Sequence, residues 1–566
     1  MGQNKILIYQ LLPRLFGNTS DRNKFNGIIE ENGCGKFNVI SLKVLKTLKK
    51  SGYTHVWYIG ILAHASTTDY TAYGIPKEYP EIIKGKAGSP YAVRDYYDVD
   101  PDLAVDVNNR MQEFEALIAR THEAGLKVMI DNIPNHLTRN YKSINKPANI
   151  KDFGENDNTS LAFSSQNNFY YLPSQPLDLQ SVVGDLQHTD YKEFPAKVTG
   201  NDSFTNQPSR YDWYETVKLN YGVDYLHGHS HHFNPIPDTW LKMRDVLLFW
   251  AAKKIDGFRC DMAEMVPVEF WRWAVKEVKT QYPNVIFVAE IYNPSVYRDF
   301  LAGNTFDYLY DKVGVYDTLR DVACGHKPSS DITFALNAVG DIQDKMLNFL
   351  ENHDEQRLAS DYFLGTGERG KAAMIVTACV GKNPVMVYAG QEFGERGMDM
   401  EGFSGQDGRT TIFDYWSVDT LRKWNNNGKW DSKLLTKEEL SLQQFHYRLI
   451  TLCNEEKAIS DGLFYDLMSA NYENPQFDST RQFAFLRSDK KELLLIVVNF
   501  DNEEREVNVH IPEHAFDFFE FENVNSGKLI PLLEKGEEFV FERGSVNVRI
   551  GGNEGNIYRI IREPLF

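Results

Sequence analysis

The 566-residue chain has only five cysteines, at positions 34, 260, 324, 379 and 453, an odd number at wide spacing with no CxxC pair. That excludes a disulfide framework and a cysteine-based zinc or redox motif, and leaves reduced thiols in a cytosol as the expectation. Long hydrophobic runs are missing: the stretch from Leu493 to Val498 is among the longest, far short of the roughly 20 residues that cross a bilayer. Positive charge is in deficit, with 61 Lys and Arg against 79 Asp and Glu, a net −18. A nucleic-acid backbone or an anionic membrane is therefore excluded as the main partner. The N-terminal segment MGQNKILIYQLLPRLFG lacks the charged start, apolar stretch and cleavage site of a signal peptide. The expected compartment is the cytoplasm, with periplasm or secretion left open for a chain whose leader has been removed. No internal repeat or low-complexity tract is present, and nothing fixes the oligomeric state. What is there is 42% hydrophobic and 13% aromatic residues, enough for more than one core.

Short apolar, β-rich runs alternate with amphipathic stretches, the pattern of βα units around a parallel sheet. Eight strands are predicted, at 6–11, 55–59, 127–131, 257–261, 285–290, 306–310, 346–351 and 384–388, with helical spacing at 111–124, 237–254 and 268–280 between them. Eight such units predict an α/β fold, a closed (β/α)8 TIM barrel. The connection after the third strand, residues 137–234, is rich in Asn, Asp, Ser, Pro and Tyr. It is too long for an ordinary loop and reads as an inserted subdomain that walls a functional site. After a last helix near 438–456 the pattern turns to short alternating runs at 482–487, 493–499, 506–511, 516–520, 538–541 and 546–550. These predict a C-terminal antiparallel β-sandwich. The expected division is barrel at 1–136 and 235–459, insertion at 137–234 and sandwich at 460–566.

Four of the apolar strands finish in acids: Asp131 after VMI, Asp261 after GFRC, Glu290 after FVA and Asp354 in FLENHD. A barrel gathers such residues at its C-terminal mouth, where barrel enzymes do their chemistry. Each alone reads equally well as a helix cap or ion-pair partner; four together do not. Period-two alternation puts Arg259 and Asp261 on one face and Phe258 and Cys260 on the other. A guanidinium beside Asp261 favours the ionised carboxylate that a nucleophile needs, while Cys260 packs outward as a core residue.

These segments, Asp131-Asn-Ile-Pro-Asn135-His136, Gly257-Phe-Arg259-Cys-Asp261-Met-Ala-Glu264, Phe287-Val-Ala-Glu290 and Glu351-Asn-His353-Asp354, resemble those of the α-amylase family, glycoside hydrolase family 13, in the family's order. Ser89-Pro-Tyr91, Val217-Lys218-Leu219-Asn220, Gly390-Gln391-Glu392 and Arg409 in Gly-Arg-Thr-Thr resemble further family segments, so the likeness spans essentially the whole chain. The resemblance implies Asp261 as nucleophile, Glu290 as general acid/base and Asp354 as transition-state stabiliser. It also implies Tyr91, Asp131, His136, Arg259, His353 and Arg409 as substrate-binding residues. The activity implied is hydrolysis of α-1,4-glucosidic bonds in starch, maltodextrins or malto-oligosaccharides. A retaining reaction needs two carboxyls about 5–5.5 Å apart, one of them protonated near neutrality, which burial and neighbouring carboxylates favour at Glu290.

The resemblance further implies a calcium ligand at Asn135, joined by an acid of the insertion; Asp152, Asp157 and Asp185 are all available, and Ca²⁺ suits such oxygen donors. No organic cofactor is expected. The run Leu226-His227-Gly-His229-Ser-His231-His232 suits either zinc or a loop at the substrate's edge, with the loop preferred. Gly365 to Gly370-Lys371 has phosphate-loop spacing, but Ala372 replaces the required hydroxyl residue. The triad alone does not separate a hydrolase from a 4-α-glucanotransferase or an isomerising relative. A catalytically inactive binding barrel is disfavoured because every triad residue is kept.

Overall fold

A computed structural model describes residues 5–183, 190–521, 526–534, 536, 538–542 and 544–562. Asp185 and the first four residues of the N-terminal segment lie outside them. Eight parallel strands follow the chain: β1 (Leu7–Leu11), β2 (His55–Tyr58), β3 (Lys127–Asn132), β4 (Gly257–Cys260), β5 (Ile286–Ala289), β6 (Tyr308–Tyr310), β7 (Met346–Leu347) and β8 (Val385–Tyr388). They pair in the order β7-β6-β5-β4-β3-β2-β1-β8, and a bridge between Asn348 and Val385 joins the two ends into a barrel. Nearly every strand residue is buried, as expected of strands covered on both faces.

Helices cover the barrel: α1 (Leu42–Lys50), α2 (Arg110–Glu123), α3 (Asp238–Ala252), α4 (Val268–Gln281), α5 (Tyr297–Leu301), α6 (Asp317–Ala323), α7 (Lys371–Cys379) and α8 (Lys437–Glu455). In α2 the buried residues Phe114, Leu117, Ile118 and Thr121 recur at helical spacing and face the sheet. Thr436 and Glu439 exchange hydrogen bonds with each other's backbone at the start of α8, a capping box that sets where the helix begins.

The predicted strand at 346–351 pairs in a ladder only over Met346–Leu347, because the chain then turns out of the sheet. The Asn352 side chain accepts from the Asp354 and Glu355 N–H groups at 2.9 and 2.8 Å and fixes that turn. The long connection after β3 is mostly irregular, with short antiparallel pairs such as His136–Thr138 against Thr216–Lys218.

The last segment forms eight antiparallel strands in one hydrogen-bonded sheet: β9 (Leu463–Asp466), β10 (Gln482–Ser488), β11 (Leu493–Asn499), β12 (Arg505–His510), β13 (Ser526–Pro531), β14 (Phe539–Glu542), β15 (Ser545–Ile550) and β16 (Gly555–Arg562). The expected strand at 516–520 is instead part of a helix, Glu513–Phe518. Phe516 and Phe519, three apart, are both buried and Phe518 is exposed, which is helical spacing. β9, β13 and β16 escaped the sequence pattern. The sheet is locked to the barrel by the buried Arg487 guanidinium, which donates to the carbonyls of Val380, Ala458, Ile459 and Gly462. Among the described residues no helix is long and apolar enough to cross a membrane.

Candidate active site

The C-terminal ends of the strands surround a cavity of about 330 Å³. At its floor lies Arg259, fully buried on β4. Its Nη1 contacts Asp261 Oδ1 at 2.6 Å and Asp131 Oδ1 at 3.4 Å, and its Nη2 meets Glu290 Oε1 at 2.7 Å and Asp354 Oδ2 at 4.0 Å. The guanidinium also sits over the Trp57, Tyr91 and Tyr310 rings at 5.4 to 5.5 Å. One cation therefore organises four carboxyls inside an aromatic box.

Backbone register explains the close pair. Cys260 lies opposite Ala289 on neighbouring parallel strands, so the next residues, Asp261 and Glu290, emerge side by side about 4.8 Å apart. Met262 then adopts a left-handed conformation (φ 43°), and its N–H points back to Glu290 Oε2 at 2.8 Å. Tyr292, two residues on from Glu290, donates its hydroxyl to Oε1 at 2.6 Å. Glu264 ties the two strand ends together by accepting from the N–H groups of Tyr292 and Asn293.

Two hydrogen-bond donors, the Met262 N–H and the Tyr292 hydroxyl, thus converge on Glu290 beside the Arg259 ion pair. Burial pushes Asp261 well above the usual carboxylate range. Arg259 opposes that rise, while Glu290, Asp131 and Asp354 add to it. Oδ1 of Asp261 is spent on Arg259; Oδ2 is buried without a partner, and the residue lines the cavity. Asp354 is 40% exposed. Burial raises its carboxyl, but His353 at 3.0 Å, Arg259 and Arg409 outweigh that and hold it below the usual range.

The remaining predicted residues are drawn into the same network with two exceptions. Tyr91 stacks on His353 (centroids 5.2 Å, 16°), and its hydroxyl meets His353 Nε2 at 2.5 Å, while the Gln10 amide reaches Nδ1 at 3.1 Å. Asp131 takes the Trp57 indole N–H at 3.2 Å; burial pushes its carboxyl up to about 6 against the pull of Arg259 and His353. His136 packs on Trp213 with centroids 5.1 Å apart, and burial together with Lys218, Lys84 and Arg259 pushes its ring down to about 3, a neutral imidazole.

Arg409 is the first exception, meeting the network through the loop that carries Asp354. Its guanidinium is spent on the Asp354 carbonyl at 2.5 Å and on Asp407 at 2.8 Å, and it is absent from the residues lining the cavity. It steadies the loop that carries Asp354.

Asn135 is the second exception. Its Oδ1 accepts from the Lys218 ammonium at 2.9 Å and its amide donates to Gly200 O at 2.8 Å. Lys218 also meets Asp202 at 2.5 Å. An ammonium already supplies the positive charge at this amide, so the residues do not fit calcium there. Asp157 is spent on the N–H groups of Asn168 and Phe169 and the Tyr171 hydroxyl, and Asp152 faces Ser143 and Lys146. In the histidine run, His227 pairs with Asp224 and His231 lies 3.8 Å from Glu269. Among the described residues no three His, Cys, Asp or Glu side chains come together to hold a metal.

Sequence reasoning missed Lys84, Trp213, Glu215, Tyr292 and Phe413, all of which line the cavity. Tyr292 shares the alternation of Glu290, and Trp213 and Glu215 stand just before Val217, so both were findable. Lys84 and Phe413 lie in loops with no local signal.

Residues 10–436 match the family described as alpha amylase, catalytic domain. The chain is 22% identical over 503 residues to alpha-amylase MalA of Haloarcula japonica, covering 88% of this chain and 55% of that protein. It is 22% identical over 429 residues to a cyclomaltodextrinase of a Bacillus species, covering 75% and 62%. The chain thus spans between about half and two thirds of the length of these two curated relatives. Among solved structures, the noncanonic maltogenic alpha-amylase AmyB of Thermotoga neapolitana superposes with a TM-score of 0.63 at 19% identity, over 99% of both chains.

Proposed function

The chain belongs to the α-amylase family, and from that premise we propose that it is a retaining α-glycosidase that hydrolyses α-1,4-glucosidic bonds in maltodextrins and malto-oligosaccharides. The observation that carries this reading is the pairing of Asp261 and Glu290 on adjacent strands, bridged by one guanidinium, with Asp261 Oδ2 unspent beside the cavity. Neighbouring strands lie about 4.8 Å apart, a spacing that suits the close carboxyls of double displacement better than the about 6.5–9.5 Å of an inverting site with its water.

In the proposed reaction Asp261 Oδ2 attacks the anomeric carbon while Glu290 gives a proton to the departing glycosidic oxygen. A covalent glycosyl ester on Asp261 results. Glu290, now a carboxylate, takes a proton from a water that attacks the same carbon and releases Asp261. The reaction needs the proton on Glu290 and the charge on Asp261, and the Arg259 guanidinium, hydrogen-bonded to Asp261 Oδ1, favours the charge there. Asp354, held as a carboxylate by His353, Arg259 and Arg409, offsets the positive charge of the oxocarbenium-like sugar. Tyr91 and the neutral His136 present a ring face and a hydrogen-bonding edge to that sugar.

A time course with maltoheptaose tests the reading. Rising reducing ends with only shorter products are expected; constant reducing ends with both longer and shorter chains would make the protein a 4-α-glucanotransferase on the same triad.

A further inference from the structure

Barrel order sets the direction in which substrate lies. Glu290 ends β5, and the residues bonded to it, Met262 and Tyr292, occupy the same rim. β5 lies across the barrel from β1, which is flanked by β2 and β8. An acid protonates the leaving oxygen, so the leaving group lies toward Glu290 and the glycone end extends toward the loops after β2 and β8.

That opposite rim is stitched shut. Ala87, in the loop after β2, donates its N–H to Phe413 O in the loop after β8 at 3.0 Å. The strands are drawn so close that a Cβ on Gly85 would come within 2.2 Å of the same carbonyl. Lys84, beside it, reaches the insertion: its ammonium lies 2.9 Å from Glu215 Oε1, the two side chains being 13% and 5% exposed. Glu215 is held from behind by its carbonyl, which accepts from the Arg139 N–H at 3.2 Å.

Both side chains line the cavity, and Glu215 Oε2 is buried without a hydrogen-bond partner. A buried carboxylate oxygen left unpaired is costly unless something donates to it. An ammonium and a carboxylate with one oxygen left unpaired, at the closed end of a sugar cavity, match the donor and acceptor character of neighbouring sugar hydroxyls. The cavity is also at the small end of the range for ligand sites, about 300–1,000 Å³, which suits a chain end better than a passing chain.

We propose that Lys84 and Glu215 close the glycone side of the cavity and grip the hydroxyls of a non-reducing terminal sugar, so that the protein cuts malto-oligosaccharides from that end. This rests on the α-glycosidase reading above, and the experiment separates the two.

Wild-type protein and the Lys84→Ala, Glu215→Ala and Glu215→Gln variants are assayed on p-nitrophenyl maltoheptaoside with its non-reducing end free or capped by a 4,6-ethylidene group. Release of new reducing ends is followed. The wild type is expected to cleave the capped substrate at least about 100-fold more slowly in kcat/KM, because the cap removes the hydroxyls the pair would hold. Each variant is expected to raise KM for the free substrate about tenfold and to narrow the free-to-capped ratio by at least about tenfold. Glu215→Gln keeps the side chain's shape and so reports the charge with the fold intact. Equal wild-type rates on both substrates, or folded variants that keep the wild-type ratio, overturn the clamp and leave the glycosidase reading standing. Cleavage of neither substrate overturns both.

Discussion

Arg259→Met keeps an aliphatic stem in the barrel floor and removes the one cation shared by Asp131, Asp261, Glu290 and Asp354. Two of its contacts, a charge-assisted hydrogen bond to Asp261 and an ion pair with Glu290, are only 2.6 and 2.7 Å long. At about 1.5–3 kcal/mol each they amount to about 3–6 kcal/mol, a loss of roughly 10²–10⁴ in kcat/KM. A cation within reach also holds a carboxyl down by about 1–3 pH units, so its removal raises the carboxyls that must be ionised. The acid limb of the kcat/KM profile therefore moves to higher pH by at least about one unit. Arg259→Lys, which keeps a charge but reaches fewer of the four acids, is expected to fall between wild type and Met in both respects. The assay is kcat/KM on maltotriose from pH 4 to pH 9, with melting curves of each variant to establish that it is folded. A folded Arg259→Met protein within about threefold of wild type, with an unmoved acid limb, would refute the reasoning.

Thermal stability is expected to rise as pH falls from 8.5 to 6.5. Burial pushes Glu78 and Glu392 up to about 7 and Glu401 up to about 8, so the folded chain takes up protons there that the unfolded chain does not. Below about pH 6.5 that gain is opposed, because burial pushes His55 and His136 down to about 3 and His64 and His446 down to about 4, and only the unfolded chain protonates them. Differential scanning calorimetry across this range checks both signs; a higher Tm at pH 8.5 than at 6.5 contradicts them. Chelation with EDTA is expected to leave Tm and activity unchanged, whereas Lys218→Ala, which strips the ammonium from Asn135 and Asp202, costs about 1–3 kcal/mol in denaturant unfolding. A Tm that drops with EDTA and returns with added Ca²⁺ contradicts this account of Asn135.

The barrel was legible because its strands are buried on both faces and read as apolar runs, each ending in a residue that breaks the run. Asp131, Asp261 and Glu290 stand at those breaks, and His353 and Asp354 just past another, so apolar runs and motif order together located the carboxyl cluster. What was hidden depends on contacts between distant segments. Lys84 and Glu215 meet only because the loop after β2 folds against the insertion. Lys218 stood in a recognised segment, yet its ammonium's place at the Asn135 amide follows from the pairing of His136–Thr138 with Thr216–Lys218. Arg409 was read from its Gly-Arg-Thr-Thr segment, and its contact with the Asp354 carbonyl follows from loop packing that the segment does not encode. The helix at Glu513–Phe518 was read as a strand because its phenylalanines suit either periodicity until tertiary packing chooses one.

The central claim is a covalent intermediate on Asp261. Glu290→Gln removes the acid/base while leaving the nucleophile, so α-glucosyl fluoride, which needs no acid to lose its leaving group, is expected to load the enzyme and stall. Peptide mass spectrometry of the quenched protein should then show one added glucosyl unit on the peptide containing Asp261, and no adduct in the Asp261→Asn protein. An adduct on a different carboxyl, or a first-formed wild-type product of inverted anomeric configuration by NMR, would contradict the account.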